Sequence, residues 1–84
     1  MAQVEIYSKS TCPYCRRASQ LLDSKRAEVR LISLDNGGPA RDEMIDRSGR
    51  MTVPQIFIDG KHVGGCDDLF ALDRNGQLDA MLAA

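Results

Sequence analysis

Two cysteines, Cys12 and Cys15, stand at a point in the chain where an extended pattern gives way to a helical one. The alternation of Val4 and Ile6 with more polar neighbours predicts a short strand just before them. Pro13 suits the first turn of a helix, because the N–H that proline lacks has no intrahelical partner there in any case. The cysteine pair is therefore expected at the junction between a strand and the N-terminus of a helix.

That junction suits a reactive thiol. The backbone N–H groups that open a helix lack intrahelical acceptors, and the helix dipole is positive at that end. Both features favour the anion of Cys12, and the thiolate is the nucleophile in disulfide exchange. Cys15 follows about one turn later, so the two sulfurs can meet in a disulfide. A zinc site is the main alternative, but it needs two further ligands, and only Cys66 and His62 are available.

Length and composition exclude several classes of protein. With 84 residues, 43% of them hydrophobic, we expect one domain over residues 1–84 with a small core. A net charge of −1 offers no basic surface for nucleic acid. No apolar stretch approaches the roughly 20 residues of a membrane span. Three cysteines argue against a secreted disulfide scaffold, and the N-terminus lacks the pattern of a secretory signal. We expect a cytoplasmic protein without nucleic-acid or membrane partners.

The rest of the pattern predicts an α/β fold with a mixed sheet. A second strand is expected over residues 29–34 and a second helix from Pro39. The pair Asp59-Gly60 between two extended runs predicts a β-hairpin. A third helix starts at Cys66, and a short helical turn closes the chain. The order β-α-β-α-β-β-α predicts four strands, because the first crossover gives a parallel pair and the hairpin an antiparallel one.

Three segments at this spacing together resemble the glutaredoxin family, of the small bacterial dithiol type. They are Lys9-Ser10-Thr11-Cys12-Pro13-Tyr14-Cys15, Thr52-Val53-Pro54-Gln55-Ile56-Phe57-Ile58 and Gly64-Gly65-Cys66-Asp67-Asp68-Leu69. The match runs through the whole chain in order. It implies a thioredoxin-like fold, four strands flanked by helices, and glutathione as the reductant. It also implies reduction of glutathione mixed disulfides and of some protein disulfides.

The resemblance implies a role for twelve residues. Cys12 would attack the substrate sulfur, and Cys15 would resolve protein mixed disulfides. The remaining ten would contact glutathione: Lys9, Tyr14, Arg50, Thr52, Val53, Pro54, Gly65, Cys66, Asp67 and Asp68. No metal ligand is implied, and glutathione acts as a co-substrate beside no tightly bound cofactor.

Within that set the resemblance gives particular contacts. Lys9 and Arg50 would reach the glycyl carboxylate of glutathione, and the ring of Tyr14 would form a wall of its groove. The backbone of Val53 would bind the cysteinyl part of glutathione as an added strand. The start of the third helix would hold the γ-glutamyl carboxylate, while the Asp67 side chain takes the ammonium group.

Several of these residues have a simpler structural interpretation. Asp68 could only cap a helix, and Arg50 could be an ordinary solvated side chain. Cys66 is interpreted first as a small buried hydrophobe, with a reactive thiol as the alternative. Sequence alone favours a trans bond before Pro54, whereas the resemblance implies a cis bond. We assign His62 to the hairpin and not to catalysis, because nothing in the sequence pairs it with a cysteine.

Two further functions are kept as alternatives. One is a dimer that holds a [2Fe–2S] cluster between two Cys12 thiolates and two glutathiones. The other is a thioredoxin-like carrier reduced by a flavoprotein reductase. For the leading function we expect a monomer whose partners are glutathione, glutathionylated proteins and protein disulfides such as that of ribonucleotide reductase.

Overall fold

The computed structural model describes residues 2–83. It contains four strands and four helices in the order β1-α1-β2-α2-β3-β4-α3-α4. Their bounds are β1 Gln3–Ser8, α1 Pro13–Ser24, β2 Glu28–Ser33, α2 Pro39–Ser48, β3 Gln55–Ile58, β4 Lys61–Gly64, α3 Cys66–Arg74 and α4 Gln77–Ala83. Among residues 2–83, no helix combines the length and apolarity needed to cross a membrane.

The sheet is mixed, as the element order predicts. β1 pairs with β2 in parallel and with β3 antiparallel, and the hairpin adds β4 at the edge, so the strand order is β2-β1-β3-β4. The hairpin turns at Asp59 and Gly60, whose φ angles of 51° and 80° are both positive. A two-residue turn of this kind matches the twist of its flanking strands, which is why Asp-Gly predicts it.

Hydrophobic side chains fill both faces of the sheet. The larger cluster lies on the face covered by α1, α3 and α4 and is formed by Ala2, Val4, Ile6, Ala18, Leu22, Ile56, Ile58, Cys66, Leu69, Leu78 and Leu82. The smaller cluster lies beneath α2 and is formed by Tyr7, Leu34, Met44 and Phe57. The sheet is thus the middle layer, and it fixes the helix N-termini relative to the strand ends.

The structure refines two boundaries that the sequence left approximate. β3 begins at Gln55, so Val53 and Pro54, which open the extended run before Asp59-Gly60 in the sequence, lie ahead of the strand. The closing turn is a separate helix, α4, which follows a break at Gly76 with a φ of 74°. The element order therefore carries one helix more than the seven elements expected.

Candidate active site

The site begins at the N-terminus of α1. Cys12 is the N-cap residue, with extended backbone angles, and its Sγ accepts a hydrogen bond from the Cys15 N–H at 3.2 Å. The carbonyl of Cys12 accepts from the Arg16 N–H at 3.2 Å, which starts the helical ladder. The strand-to-helix junction expected from the sequence is therefore present, with the sulfur where a capping oxygen is usually found.

The two cysteines occupy different environments. Cys12 is partly exposed, whereas Cys15 is only 1% exposed beneath it. Burial raises the pKa of the Cys15 thiol, and its hydrogen bond with Cys12 acts in the same direction. A thiol with a raised pKa is mostly protonated at neutral pH and therefore a poor initial nucleophile. This asymmetry separates an outer, attacking sulfur from an inner one.

A groove runs alongside the cysteines and contains nine of the ten residues expected to contact glutathione. Its volume is about 240 Å³, and its lining residues are Tyr14, Arg50, Thr52, Val53, Pro54, Gln55, Gly65, Cys66, Asp67 and Asp68. The tenth expected residue, Lys9, lies in a neighbouring depression of about 200 Å³ that also contains Cys12 and Cys15. The Cys12 thiol lies 3.8 Å from the carbonyl of Val53, which joins the two depressions.

The cis peptide bond that the resemblance implied is present between Val53 and Pro54. It lies in the segment between α2 and β3, opposite the N-terminus of α1. Pro54 is buried, while Val53 is partly exposed. The Val53 carbonyl faces Cys12, and Val53 and Pro54 both line the groove beside the sulfur.

The N-terminus of α3 forms the other side of the groove. Asp68 caps this helix, because its Oδ2 accepts from the Gly65 N–H at 3.0 Å. The same oxygen pairs with the Arg50 guanidinium at 3.1 Å. The Gly65 bond first, and then Arg50, lower the pKa of the Asp68 carboxyl. Arg50 and Asp68, which the resemblance places among the glutathione contacts and which also allow simpler local roles, therefore pair with each other inside the groove.

Cys66 and Asp67 follow Gly65 on the first turn of α3. The Cys66 side chain is 6% exposed and belongs to the larger hydrophobic cluster. Burial raises the pKa of its thiol, which agrees with the interpretation of Cys66 as a small buried hydrophobe. Asp67 is exposed toward the groove. The helix thus presents backbone N–H groups and a carboxylate within the same turn.

Two residues near the groove were not expected to take part in it. Gln55 is fully buried and lines the groove, and its amide donates to the carbonyl oxygen of Thr52 at 3.1 Å. His62, assigned from the sequence to the hairpin, has its Nε2 2.8 Å from the Gln55 Oε1. The available signal was a polar residue opening an otherwise apolar strand, Gln55 before Ile56. Across residues 2–83, no three His, Cys, Asp or Glu side chains lie together as a metal site would require.

The sequence of this chain is similar to that of known proteins. The family model described as Glutaredoxin matches residues 4–63. Glutaredoxin 3 of Escherichia coli is 60% identical over 82 residues, which cover 98% of this chain and 99% of that protein. A glutaredoxin of Pseudomonas aeruginosa is 50% identical over 84 residues, the full length of both.

Solved structures of glutaredoxins have a similar fold. The glutaredoxin of Brucella melitensis has a TM-score of 0.84 at 52% identity, covering 98% of this chain and 89% of that one. A buckwheat glutaredoxin–glutathione complex has a TM-score of 0.87 at 36% identity, covering 95% of this chain and 76% of that one. This chain therefore belongs to the glutaredoxin family and is a glutathione-dependent thiol-disulfide oxidoreductase with a thioredoxin fold.

Proposed function

We propose that Cys12 is the nucleophile and Cys15 the resolving thiol of this oxidoreductase. The observation that carries the assignment is the hydrogen bond from the Cys15 N–H to the Cys12 Sγ at a helix N-terminus. A negative charge on this sulfur strengthens that bond and interacts favourably with the helix dipole. Cys15, 1% exposed and with a raised pKa, is suited to act only after Cys12 has formed a mixed disulfide.

Reduction of a glutathionylated substrate would proceed in two exchanges. The Cys12 thiolate attacks the glutathione sulfur, the substrate–glutathione S–S bond breaks, and the substrate leaves as a thiolate that takes up a proton. Cys12 is then joined to glutathione. A second glutathione thiolate attacks the glutathione sulfur of this mixed disulfide, which releases glutathione disulfide and regenerates the Cys12 thiolate.

Reduction of a protein disulfide would use both cysteines. Cys12 attacks one sulfur of the substrate and forms a mixed disulfide with it. Cys15 loses its proton and attacks the Cys12 sulfur, so that the substrate leaves as a dithiol and a Cys12–Cys15 bond forms. Two glutathiones then reduce that bond in turn. The contact between the two residues at the start of α1 supports this step.

The groove provides polar groups for each part of glutathione. In the proposed arrangement, the Val53 backbone pairs with the cysteinyl residue, beside Thr52 and Pro54, and the Tyr14 ring forms a wall. Lys9 and Arg50 bind the glycyl carboxylate, for which Arg50 would divide its hydrogen bonds between the ligand and Asp68.

The α3 end would hold the γ-glutamyl group. Its carboxylate would meet the N–H groups of Cys66 and Asp67 beside Gly65, and its ammonium would meet the Asp67 carboxylate. Both signs of charge are within one helical turn there, which is what a zwitterion requires. The buckwheat glutaredoxin–glutathione complex, with the same fold, supports a groove of this kind.

The proposal also includes the partners of the protein and the compartment in which it acts. Glutathione would be a co-substrate, with no tightly bound cofactor, and the protein would act as a monomer in one domain. Glutathionylated proteins and protein disulfides, such as that of ribonucleotide reductase, would be its substrates. A reducing cytoplasm would return Cys12 and Cys15 to their reduced forms through glutathione.

A coupled assay tests the proposal through the source of electrons. With glutathione and its reductase, the protein should reduce a glutathionylated peptide, whereas thioredoxin reductase alone should not sustain turnover. Turnover with thioredoxin reductase and none with glutathione would contradict the proposal and favour the thioredoxin-like carrier. Visible absorbance of the freshly purified protein would instead favour the [2Fe–2S] dimer.

Two single variants test the residue assignment. Cys12→Ser should lose all activity, and Cys15→Ser should keep reduction of the glutathionylated peptide but lose reduction of a protein disulfide. Cys66→Ala, which leaves both reacting sulfurs and the Cys66 backbone N–H in place and puts no hydroxyl into the core, is the control for loss of a cysteine. Equal loss in Cys12→Ser and Cys15→Ser would contradict the assignment.

A further inference from the structure

A buried amide stands directly behind the groove. Gln55 opens β3, its side chain is 0% exposed, and its Nε2 donates to the Thr52 carbonyl at 3.1 Å and to the Thr52 hydroxyl at 3.3 Å. A buried polar group that loses its partner costs about 1–3 kcal/mol. These two bonds therefore hold the exposed residue Thr52 in one position relative to the rigid sheet.

His62 holds that amide in place from β4. Its Nε2 lies 2.8 Å from the Gln55 Oε1, and its ring packs against Phe57 with centroids 5.0 Å apart. The amide nitrogen of Gln55 already faces Thr52, so its oxygen faces His62, and His62 must be the donor. The pair is thus a directed chain of hydrogen bonds running from the imidazole to the Thr52 carbonyl.

The surroundings of His62 favour the neutral imidazole. Burial, and then the positive charge of Arg50, lower the pKa of His62, while Asp68 on α3 acts in the opposite direction. From α2, the Arg47 guanidinium lies on the Phe57 ring, 3.9 Å from its centroid. Protonation of His62 would add a donor at Nδ1 and leave the Nε2–H in place, so the chain of hydrogen bonds does not depend on the charge of the ring.

The position of Thr52 matters because the next residue, Val53, borders both the reacting Cys12 sulfur and the groove. Val53 has its carbonyl 3.8 Å from the Cys12 thiol and its backbone open to the groove. A shift of Thr52 would move the Val53 backbone with it. Strand-like binding of a peptide depends on this backbone geometry, because its hydrogen bonds are directional.

We propose that His62 and Gln55 are positioning residues for glutathione: their hydrogen bonds hold the Thr52–Val53 segment in the geometry that accepts the cysteinyl backbone of the substrate. This proposal rests on the proposed groove. Neither residue would touch the reacting sulfurs, so their effect should fall on substrate binding and not on the exchange of disulfides.

Steady-state kinetics with a glutathionylated peptide test this proposal in His62→Leu and His62→Gln. Leucine keeps the apolar contact with Phe57 but removes the donor, and the KM should rise at least fivefold while kcat stays within twofold. Glutamine can donate from its Nε2, so His62→Gln should keep the KM within twofold of the unsubstituted protein. Lys61→Leu, on the same hairpin but outside the hydrogen-bond chain, is the matched control.

Gln55→Glu provides a second test from the other end of the chain. The carboxylate can still accept from His62, but it cannot donate to the Thr52 carbonyl, so the KM should again rise at least fivefold. Thermal unfolding midpoints of all variants identify any loss that comes from unfolding. Should Gln55→Glu fail to fold, the two His62 variants decide the matter alone.

The outcomes separate the two proposals. An unchanged KM in His62→Leu, or an equal rise in His62→Gln and His62→Leu, would overturn the positioning role while the unsubstituted protein remains active. Failure of the unsubstituted protein to reduce the glutathionylated peptide at all would overturn the proposed function itself.

Discussion

At the residue scale, the site depends on small differences in environment between similar groups. Cys12 and Cys15 are both on the first turn of α1, yet one is partly exposed at the N-cap and the other is 1% exposed. Cys66 also begins a helix, but it is buried in the larger hydrophobic cluster. The position of each thiol relative to the surface, and not its residue type, separates the proposed nucleophile from the others.

Asp68 gives a pH-dependent prediction at this scale. The Gly65 N–H and Arg50 hold the pKa of its carboxyl below the ordinary value of 3.8. The stabilisation is therefore present above about pH 4 and is lost as the pH falls through the lowered pKa. Asp68→Asn should lower the free energy of unfolding at pH 7, measured by urea denaturation, and the difference from the unsubstituted protein should shrink toward pH 2.

Asp67 is the matched control for this experiment, because it is exposed on the same turn and outside the Gly65–Arg50 pair. Asp67→Asn should change the free energy of unfolding less than Asp68→Asn at pH 7. A difference for Asp68→Asn that stays constant from pH 7 to pH 2 would contradict the linkage.

At the residue scale, part of the site could be predicted from the sequence and part could not. The CxxC spacing and the position of Pro13 were enough to predict a helix whose first turn carries both cysteines. The bonds among His62, Gln55 and Thr52 were not predictable, because they join residues of β3, β4 and the preceding loop. The register of the hairpin brings His62 to Gln55, and the turn before β3 brings Thr52 to Gln55.

At the element scale, the hairpin β3–β4 connects the core to the groove. It turns at Gly60, where nothing lies near the position of an added Cβ, and it ends at Gly64, where the Asp68 side chain lies close. Both glycines have positive φ angles, 80° and 125°. The strand pattern and the Asp59-Gly60 pair predicted this hairpin, but not the packing of Asp68 against its end.

The two glycines give a matched pair of substitutions. Gly60→Ala should destabilise the protein by about 1–2 kcal/mol, the cost of a left-handed conformation for a residue with a Cβ. Gly64→Ala should cost more, because its Cβ would also lie 2.7 Å from the Asp68 Cγ. Urea denaturation of both variants measures the difference between these costs.

Removal of the Asp68 carboxylate relieves part of this steric contact. In an Asp68→Ala background the Cβ of residue 68 remains 2.9 Å from the added methyl, so the cost of Gly64→Ala should fall but not vanish, while the cost of Gly60→Ala should be unchanged. The same cost for Gly64→Ala with and without Asp68 would show that the contact between them contributes nothing.

At the scale of the whole molecule, the sheet joins two hydrophobic clusters into one structure. The order of the elements predicted the mixed sheet, because parallel and antiparallel connections have different lengths. The division of the core into two clusters was harder to predict from the sequence, since the same strands supply alternate side chains to both faces. Ile56 and Phe57 are neighbours in sequence but belong to different clusters.

A substitution in one cluster tests whether the two unfold together. Leu22 is 0% exposed in the larger cluster, and Leu22→Ala should lower the free energy of unfolding by about 2–5 kcal/mol. In a Tyr14→Phe background Tyr7 is the single tyrosine of the chain; it is 0% exposed in the other cluster and reports on that cluster by fluorescence. A chain this short should unfold in one transition, so the far-UV circular dichroism and tyrosine midpoints should shift together.

Separate midpoints in Leu22→Ala would contradict this expectation. In particular, a tyrosine transition unchanged from that of the unsubstituted protein would show that the face covered by α2 unfolds independently. Leu31→Ala, at an exposed position on β2, is the matched control and should leave both midpoints within experimental error.

The proposed roles of Cys12 as nucleophile and Cys15 as resolving thiol are tested most directly by trapping the mixed disulfide. Cys15→Ser, incubated with glutathione disulfide, is expected to carry one glutathione, which peptide mapping by mass spectrometry should locate on Cys12. Cys12→Ser under the same conditions should carry none on Cys15, because that thiol is buried and its pKa is raised. The result would contradict the account if Cys15 in the Cys12→Ser variant acquired glutathione as fast as Cys12 does in the Cys15→Ser variant.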